Sequence, residues 1–198
     1  MSEILNEGQA PQENPTKVKI ALSAKNGGSK ILVDDIKGYK TGYNVDGIAI
    51  YNDDNAILMS LSEFQMGYGK DTQDLPESDK RREATCSMTE FDGEQRTDYA
   101  IRYFKLKSGA PVEAKKFGWL PASGEIGLIA DNREEVNALL EIVGGTPVGE
   151  GLYWTSMKFS KEYIWHCDMA GKVLHMYKGM ASQLSVRPVK ALEGYQEV

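Results

Sequence analysis

Along Lys17–Leu22 apolar residues alternate with polar or small ones, so that Val18, Ile20 and Leu22 share one side. That period of two predicts a half-buried strand. Asn26-Gly27 is a hairpin turn pair, and Lys30–Val33 follows as a second short strand. A clearer hairpin comes next: the apolar runs Val45–Tyr51 and Ala56–Leu61 flank the tight polar turn Asn52-Asp-Asp-Asn55. Residues 67–96 then lose all pattern, and a loop that long inside a domain is expected to be functional or mobile.

The period changes from there. Thr97 is placed to cap a helix on which Ala100, Tyr103, Phe104 and Leu106 share a face, ended by Gly109 and Pro111. Phe117–Pro121 reads as a short extended piece. Ser123 can cap a second helical region carrying Ile126, Leu128 and Ile129. Asn132-Arg-Glu-Glu135 has capping-box spacing ahead of a stripe of Val136, Leu139, Leu140 and Val143, and Gly144-Gly145 forms the C-cap. Strands are expected around 152–156, 163–169, 171–176 and 185–191.

Between Tyr153-Trp-Thr-Ser156 and Ser185-Val-Arg-Pro-Val189 the texture is different. Large apolar, aromatic and ionisable side chains mix without helical or strand period, and Gly and Ser do not dominate as in a plain loop. The stretch reads as a displayed surface, with Phe159, Lys161, Glu162, Tyr163, His166, Asp168, Leu174, His175, Met176, Tyr177, Met180 and Gln183 as candidate ligand-binding residues. Aromatics give contact area at low entropic cost, and Met adapts to irregular partners. Trp119, Trp154 and Trp165 sit in the surrounding framework motifs and are expected in the core.

The organisation expected is a flexible arm over 1–16 and one domain over 17–198. That domain would hold N-terminal hairpins (17–66), a helical part (97–145) and the display region (151–190). A net charge of −6 argues against nucleic acid as a partner, because phosphate binding needs a cationic face. No apolar run reaches the length of a membrane span, and no secretory signal precedes the arm. The chain is therefore expected to be made in the cytoplasm without membrane insertion; if it works outside, it would leave by lysis, as part of a particle or by some unusual route. Cys86 and Cys167 are too few for a disulfide framework, leaving either two free thiols or a single bridge.

The motifs Gly118-Trp-Leu-Pro-Ala-Ser-Gly-Glu125, Asn132-Arg-Glu-Glu-Val-Asn137, Gly144-Gly-Thr-Pro147, Tyr153-Trp-Thr-Ser156, Trp165 and Val186-Arg-Pro-Val189 together resemble C-type-lectin-like domains of the DUF1566 type, common in gut Bacteroidetes and their phages. The resemblance covers roughly 45–192. It implies an α+β fold with two main helices, small antiparallel sheets, long irregular loops and a C-terminal ligand-binding face. The group overlaps the variable proteins of diversity-generating retroelements. In ordinary relatives the segment after Gly171 is rich in Asn; here Gly171, Val173 and Lys178 keep the frame while Leu174, His175, Met176 and Tyr177 replace the rest. Adenine-directed mutagenesis leaves such a trace, with Met176 and Met180 requiring Lys or Met template codons, or drift.

Candidate chemistry changes this picture little. Neither Trp154-Thr-Ser nor Trp165-His-Cys-Asp supplies the oxygen set that calcium needs, and the Asn52–Asn55 turn reads as a hairpin. Alternation along a strand would send His166 and Asp168 one way and Cys167 into the core. Two histidines and a cysteine lack the paired spacings of zinc sites, so no metal or other cofactor is expected. The fold is shared with formylglycine-generating enzymes, but their paired active-site cysteines are not evident. No phosphate loop, nucleophile elbow or zinc-protease motif is present, so no catalysis is expected. The expected partner is a surface protein or glycan, and a homo-oligomer is compatible with that. The alternative is an assembly module of a phage tail or other particle.

Overall fold

The computed structural model describes residues 15–69, 89–158, 163–178 and 181–198. The fold is α+β. A six-stranded sheet runs in the order β10-β4-β3-β1-β2-β11, and a five-stranded sheet in the order β5-β9-β6-β7-β8. The first contains β1 (Lys17–Ala24), β2 (Lys30–Val33), β3 (Tyr43–Tyr51), β4 (Ala56–Met59), β10 (Val189–Ala191) and β11 (Tyr195–Glu197). The second contains β5 (Phe64–Met66), β6 (Leu152–Lys158), β7 (Tyr163–Asp168), β8 (Val173–Lys178) and β9 (Leu184–Val186). Between them in sequence lie α1 (Gly93–Tyr103), α2 (Ala110–Ala114), α3 (Ser123–Asp131) and α4 (Arg133–Val143). None of these helices is long and apolar enough to cross a membrane.

The alternating pattern decides what each face of β1 meets. Val18, Ile20 and Leu22 join Ile48, Ile50, Ile57 and Met59 in the largest cluster, which α3 and α4 close with Ile126, Ile129, Val136 and Leu140. Tyr153 and Cys167 bring one face of the second sheet into the same cluster. Its other face puts Trp154, Ile164 and Val186 against Ala100 and Phe104 of α1, Ala110 and Ala114 of α2, and Tyr68. The second sheet is thus sandwiched, which is why Tyr153, Trp154 and Val186 lose all exposure. A small third cluster of Ala21, Leu32, Ala49 and Leu58 lies on the far side of the first sheet, with Phe117, Leu192 and Tyr195 against it.

Several boundaries depart from the sequence expectation. Helix α1 starts at Gly93, so Thr97 is interior. Its hydroxyl donates to the Leu120 carbonyl at 3.3 Å and accepts from the Leu120 N–H at 3.1 Å, clamping helix to extended piece. Pro111 begins a helix instead of ending one: it stands in the first turn of α2, where its missing N–H has no intrahelical partner to lose. Asn132 stands at the N-cap position of α4 but gives it no side-chain cap; its Nδ2 instead donates to the Leu128 carbonyl at 2.8 Å and closes α3. Gly144 does end α4 in the left-handed conformation, at φ 72° and ψ 29°. The run expected as one strand over 185–191 is two strands in two sheets, with the crossing at Arg187-Pro188. Pro188 lacks a ladder donor, and its carbonyl accepts from Ser60 N–H at 2.9 Å.

Candidate functional site

The frame around the display stretch is built on one buried ion pair. Arg187 is 0% exposed. Its Nη2 donates to Glu63 Oε2 at 3.0 Å, to the Thr146 carbonyl at 2.7 Å and to the Pro147 carbonyl at 3.2 Å, while Nη1 donates to the Ser60 carbonyl at 3.1 Å. Burial draws the Arg187 pKa down, and the Glu63 charge opposes it. Glu63 also accepts from Tyr153 Oη at 2.5 Å and from Ser185 Oγ at 2.9 Å. Tyr153 Oη in turn accepts from Gly149 N–H at 2.8 Å. One carboxylate and one guanidinium therefore join the β4–β5 connection, the loop after α4, β6 and β9. Asn137 fastens that loop to α4, donating to the Val148 carbonyl at 3.0 Å and accepting its N–H at 2.7 Å.

The framework tryptophans follow the same logic. Trp154 is fully buried, donates Nε1–H to the Met66 carbonyl at 2.8 Å, and meets Tyr68 edge to face at 5.6 Å. Trp119 donates Nε1–H to the Glu125 carboxylate at 3.1 Å and 3.2 Å, and its backbone exchanges hydrogen bonds with Val189 at 2.8 Å and 3.0 Å. Trp165 is only half-buried on β7. Its carbonyl accepts from Thr155 Oγ1 at 2.7 Å.

The display residues are spread across the second sheet: Tyr163 and Asp168 stand at opposite ends of β7, His175 lies on the edge strand β8, and Gln183 precedes β9, which β6 and β7 separate from β8. Register pairs Tyr163 with Lys178, Ile164 with Tyr177, Trp165 with Met176, His166 with His175 and Cys167 with Leu174. Tyr163 and Asp168 are half-buried, and His175 is exposed. Gln183 is exposed in the turn before β9, with Nε2 donating to the Ala181 carbonyl at 3.3 Å. Met176 and Tyr177 are strand positions on β8. Phe159, Lys161, Glu162 and Met180 lie outside the described residues.

Three of the expected display positions take on structural duties instead. His166 is 4% exposed, because β7 runs inside the sheet between β6 and β8. Burial, and then the neighbouring His175, hold its pKa below the ordinary imidazole value. Leu174, opposite Cys167, is half-buried and packs against the largest core cluster. Asp168 Oδ1 accepts from Ala170 N–H at 3.0 Å and Gly171 N–H at 3.4 Å, so it shapes the turn into β8. Conversely Val173, a frame position by resemblance, is 45% exposed.

Cys167 carries a free thiol that is 0% exposed. Burial, then the charges of Asp168 and Asp131, push that thiol up to about 12, which withholds the nucleophilic thiolate. Among the described residues no group of three or more His, Cys, Asp or Glu side chains is placed to hold a metal ion.

Buried ionisable residues escaped the sequence reading, Lys158 and Glu125 among them. Lys158 is 3% exposed with its ammonium 3.6 Å from the Phe104 ring centroid, a cation–π contact under α1. Glu125 is 2% exposed and accepts from Ala122 N–H at 2.7 Å as well as from Trp119. Glu125 accepts from the N–H of Ala122 as the N3 residue of a capping box does, but Ala122 has no side-chain oxygen and so the sequence carried no capping signal there. Lys158 ends β6 after Thr155-Ser156-Met157 and gave none.

Neither a family model nor a curated protein matches this chain. Among solved structures it is similar to a fimbrial protein from Bacteroides ovatus ATCC 8483, at 15% identity and a TM-score of 0.50. The match covers 67% of this chain and 35% of the fimbrial chain, so this chain spans about a third of that protein's length. At that identity the likeness concerns the fold alone.

Proposed function

We propose that this chain is a non-enzymatic binding protein of C-type-lectin-like fold. Its ligand, a surface protein or a glycan, is recognised by the face built on β7, β8 and the adjoining turns. The observation that carries this is a contrast in burial across a single sheet. Tyr153, Trp154 and Arg187 are each 0% exposed and hydrogen-bonded into the frame, whereas Tyr163 is only half-buried and His175 and Gln183 are exposed. Tyr163 is the natural anchor, since interface energy concentrates on a few aromatic residues. Diversification by a retroelement would act on this face and spare the frame, which accords with the motif resemblance around it.

The test is a triple variant, Tyr163→Ser, His175→Asn and Gln183→Ser, assayed on glycan arrays and intact bacterial cells. Binding seen with the parent should vanish while Tm stays within a few degrees. A large loss of Tm would show that these residues are core and would sink the assignment. For the retroelement part, the DNA downstream of the gene should hold a near-repeat of this stretch that differs only at adenines, beside a reverse transcriptase.

A second reading, an assembly module within a phage tail or other particle, draws on one observation. Among the described residues β8 ends its sheet, and an edge strand is a ready template for strand addition by another chain. Light scattering after size exclusion separates the two: a stable monomer disfavours assembly.

A further inference from the structure

The chain has two histidines, His166 and His175, and the fold brings them face to face as register partners of the antiparallel β7–β8 pair. Their ring centroids lie 5.7 Å apart with the planes tilted by 30°. Directly opposed positions on such a pair hold their Cβ atoms about 4.5–5.5 Å apart. At that separation the two rings can address a single ion, which zinc ligation holds ~2.0–2.1 Å from each nitrogen. The two rings differ in setting: His166 is 4% exposed on an inner strand, and His175 is exposed on the edge strand. We propose that His166 and His175 form a two-imidazole chelate for a late first-row divalent cation, zinc or copper(II), with its remaining coordination positions open to solvent on the His175 side.

The surroundings favour this chemistry. A ligating imidazole must be neutral, and the buried position of His166 disfavours its charged form. Asp168 stands two positions along β7 on the same face, and its negative charge favours a cation beside His166. It contributes field and not a bond through Oδ1, which is engaged by Ala170 and Gly171. Cys167 points to the opposite face and is fully buried, so no thiolate joins the set. An all-nitrogen pair selects copper and zinc over calcium and magnesium, which prefer oxygen. With no third described ligand, the site is of the open kind that accepts water or an external group, unlike a closed structural zinc site. An ion bound here would also tie the edge strand β8 to β7. The inference does not rest on the proposed ligand-binding role and holds whether or not the face recognises a protein or glycan.

Calorimetric titration of the full chain tests it, using zinc chloride first and then copper(II), magnesium and calcium. One saturable zinc site per chain is expected, tighter for copper(II) and absent for magnesium and calcium. His175→Gln should weaken zinc binding by at least ~10-fold, with the Tm of the metal-free protein unchanged. Zinc should raise the parent's Tm but not that of the variant, because only a ligand of the native state stabilises it. His166→Gln should lose binding in the same way where circular dichroism shows that it folds; the exposed His175 keeps the test decisive otherwise. Undiminished zinc affinity in His175→Gln, or no saturable zinc binding by the parent, overturns the proposal.

Discussion

Raising the pH from about 4 to about 8 should destabilise this protein through one carboxylate, Glu125. That side chain is 2% exposed. The N–H groups of Ala122, Trp119 and Gly93 face it and favour the anion, while the charge of Asp92 opposes them. Burial outweighs these donors and pushes the Glu125 pKa from 4.5 up to about 7. The unfolded chain returns it to its ordinary value. Between those two pH values the folded state binds the proton and the unfolded state has released it. The stabilisation is therefore complete below about pH 4.5, falls as pH rises, and is gone above about pH 7. The gap between 4.5 and about 7, at about 1.36 kcal/mol per pH unit, amounts to about 3 kcal/mol. Urea unfolding of the parent and of Glu125→Gln across this range measures it. Gln keeps a carbonyl acceptor in the same pocket and does not titrate. Subtracting the two profiles cancels the other acids, including the partly exposed Asp35 and the exposed Glu197, whose lowered pKa values act in the opposite direction. The variant should gain on the parent by about 3 kcal/mol between the ends of the range. A difference that stays flat across it would refute the reasoning.

The frame offers two further tests. Arg187→Met strips donors from Glu63 and from the carbonyls of Ser60, Thr146 and Pro147, and should cost about 3–5 kcal/mol in urea unfolding. Adding Glu63→Gln should cost less than the sum of the two single changes, because both act on one pair; strict additivity would argue against the network. Cys167 should stay unmodified by an alkylating reagent at about pH 8 in the native protein and react after denaturation, as peptide mass mapping would show. Native-state labelling of Cys167 at the rate of an unfolded thiol would contradict its burial.

What the sequence made legible was local. The hairpin of β3 and β4, the apolar side of β1, the left-handed cap at Gly144 and the inward turn of Cys167 all follow from periods or turn chemistry within a few residues. What it hid was long-range. Glu63 and Arg187 are 124 positions apart, and nothing near either one announces the other. The split of 185–191 between two sheets depends on β4 and β5 being already in place to receive the two halves. His166 looked like its exposed partner His175 because both sit in the same unpatterned stretch; only sheet order separates an inner strand from an edge. The register parallel to β2 that Tyr195–Glu197 adopts likewise has no local signature.

Sheet order also decides where variation can be tolerated. A residue on β6 faces one of two packed clusters whichever way it points, so Tyr153 and Trp154 are each held by volume and by a hydrogen bond. Changing either leaves a cavity or an unsatisfied donor, at several kcal/mol in a fold of ordinary stability. On β8 the constraint is one-sided. Among the described residues its backbone is paired through β7 alone, and of Val173, Leu174 and His175 only Leu174 packs against the core. Substitution at Val173 or His175 therefore changes surface chemistry with little change in burial, within the roughly ±0.5 kcal/mol usual for exposed sites. A face that must present different side chains on a constant backbone belongs at such an edge. Leu174 is the position within it where tolerance should fail first.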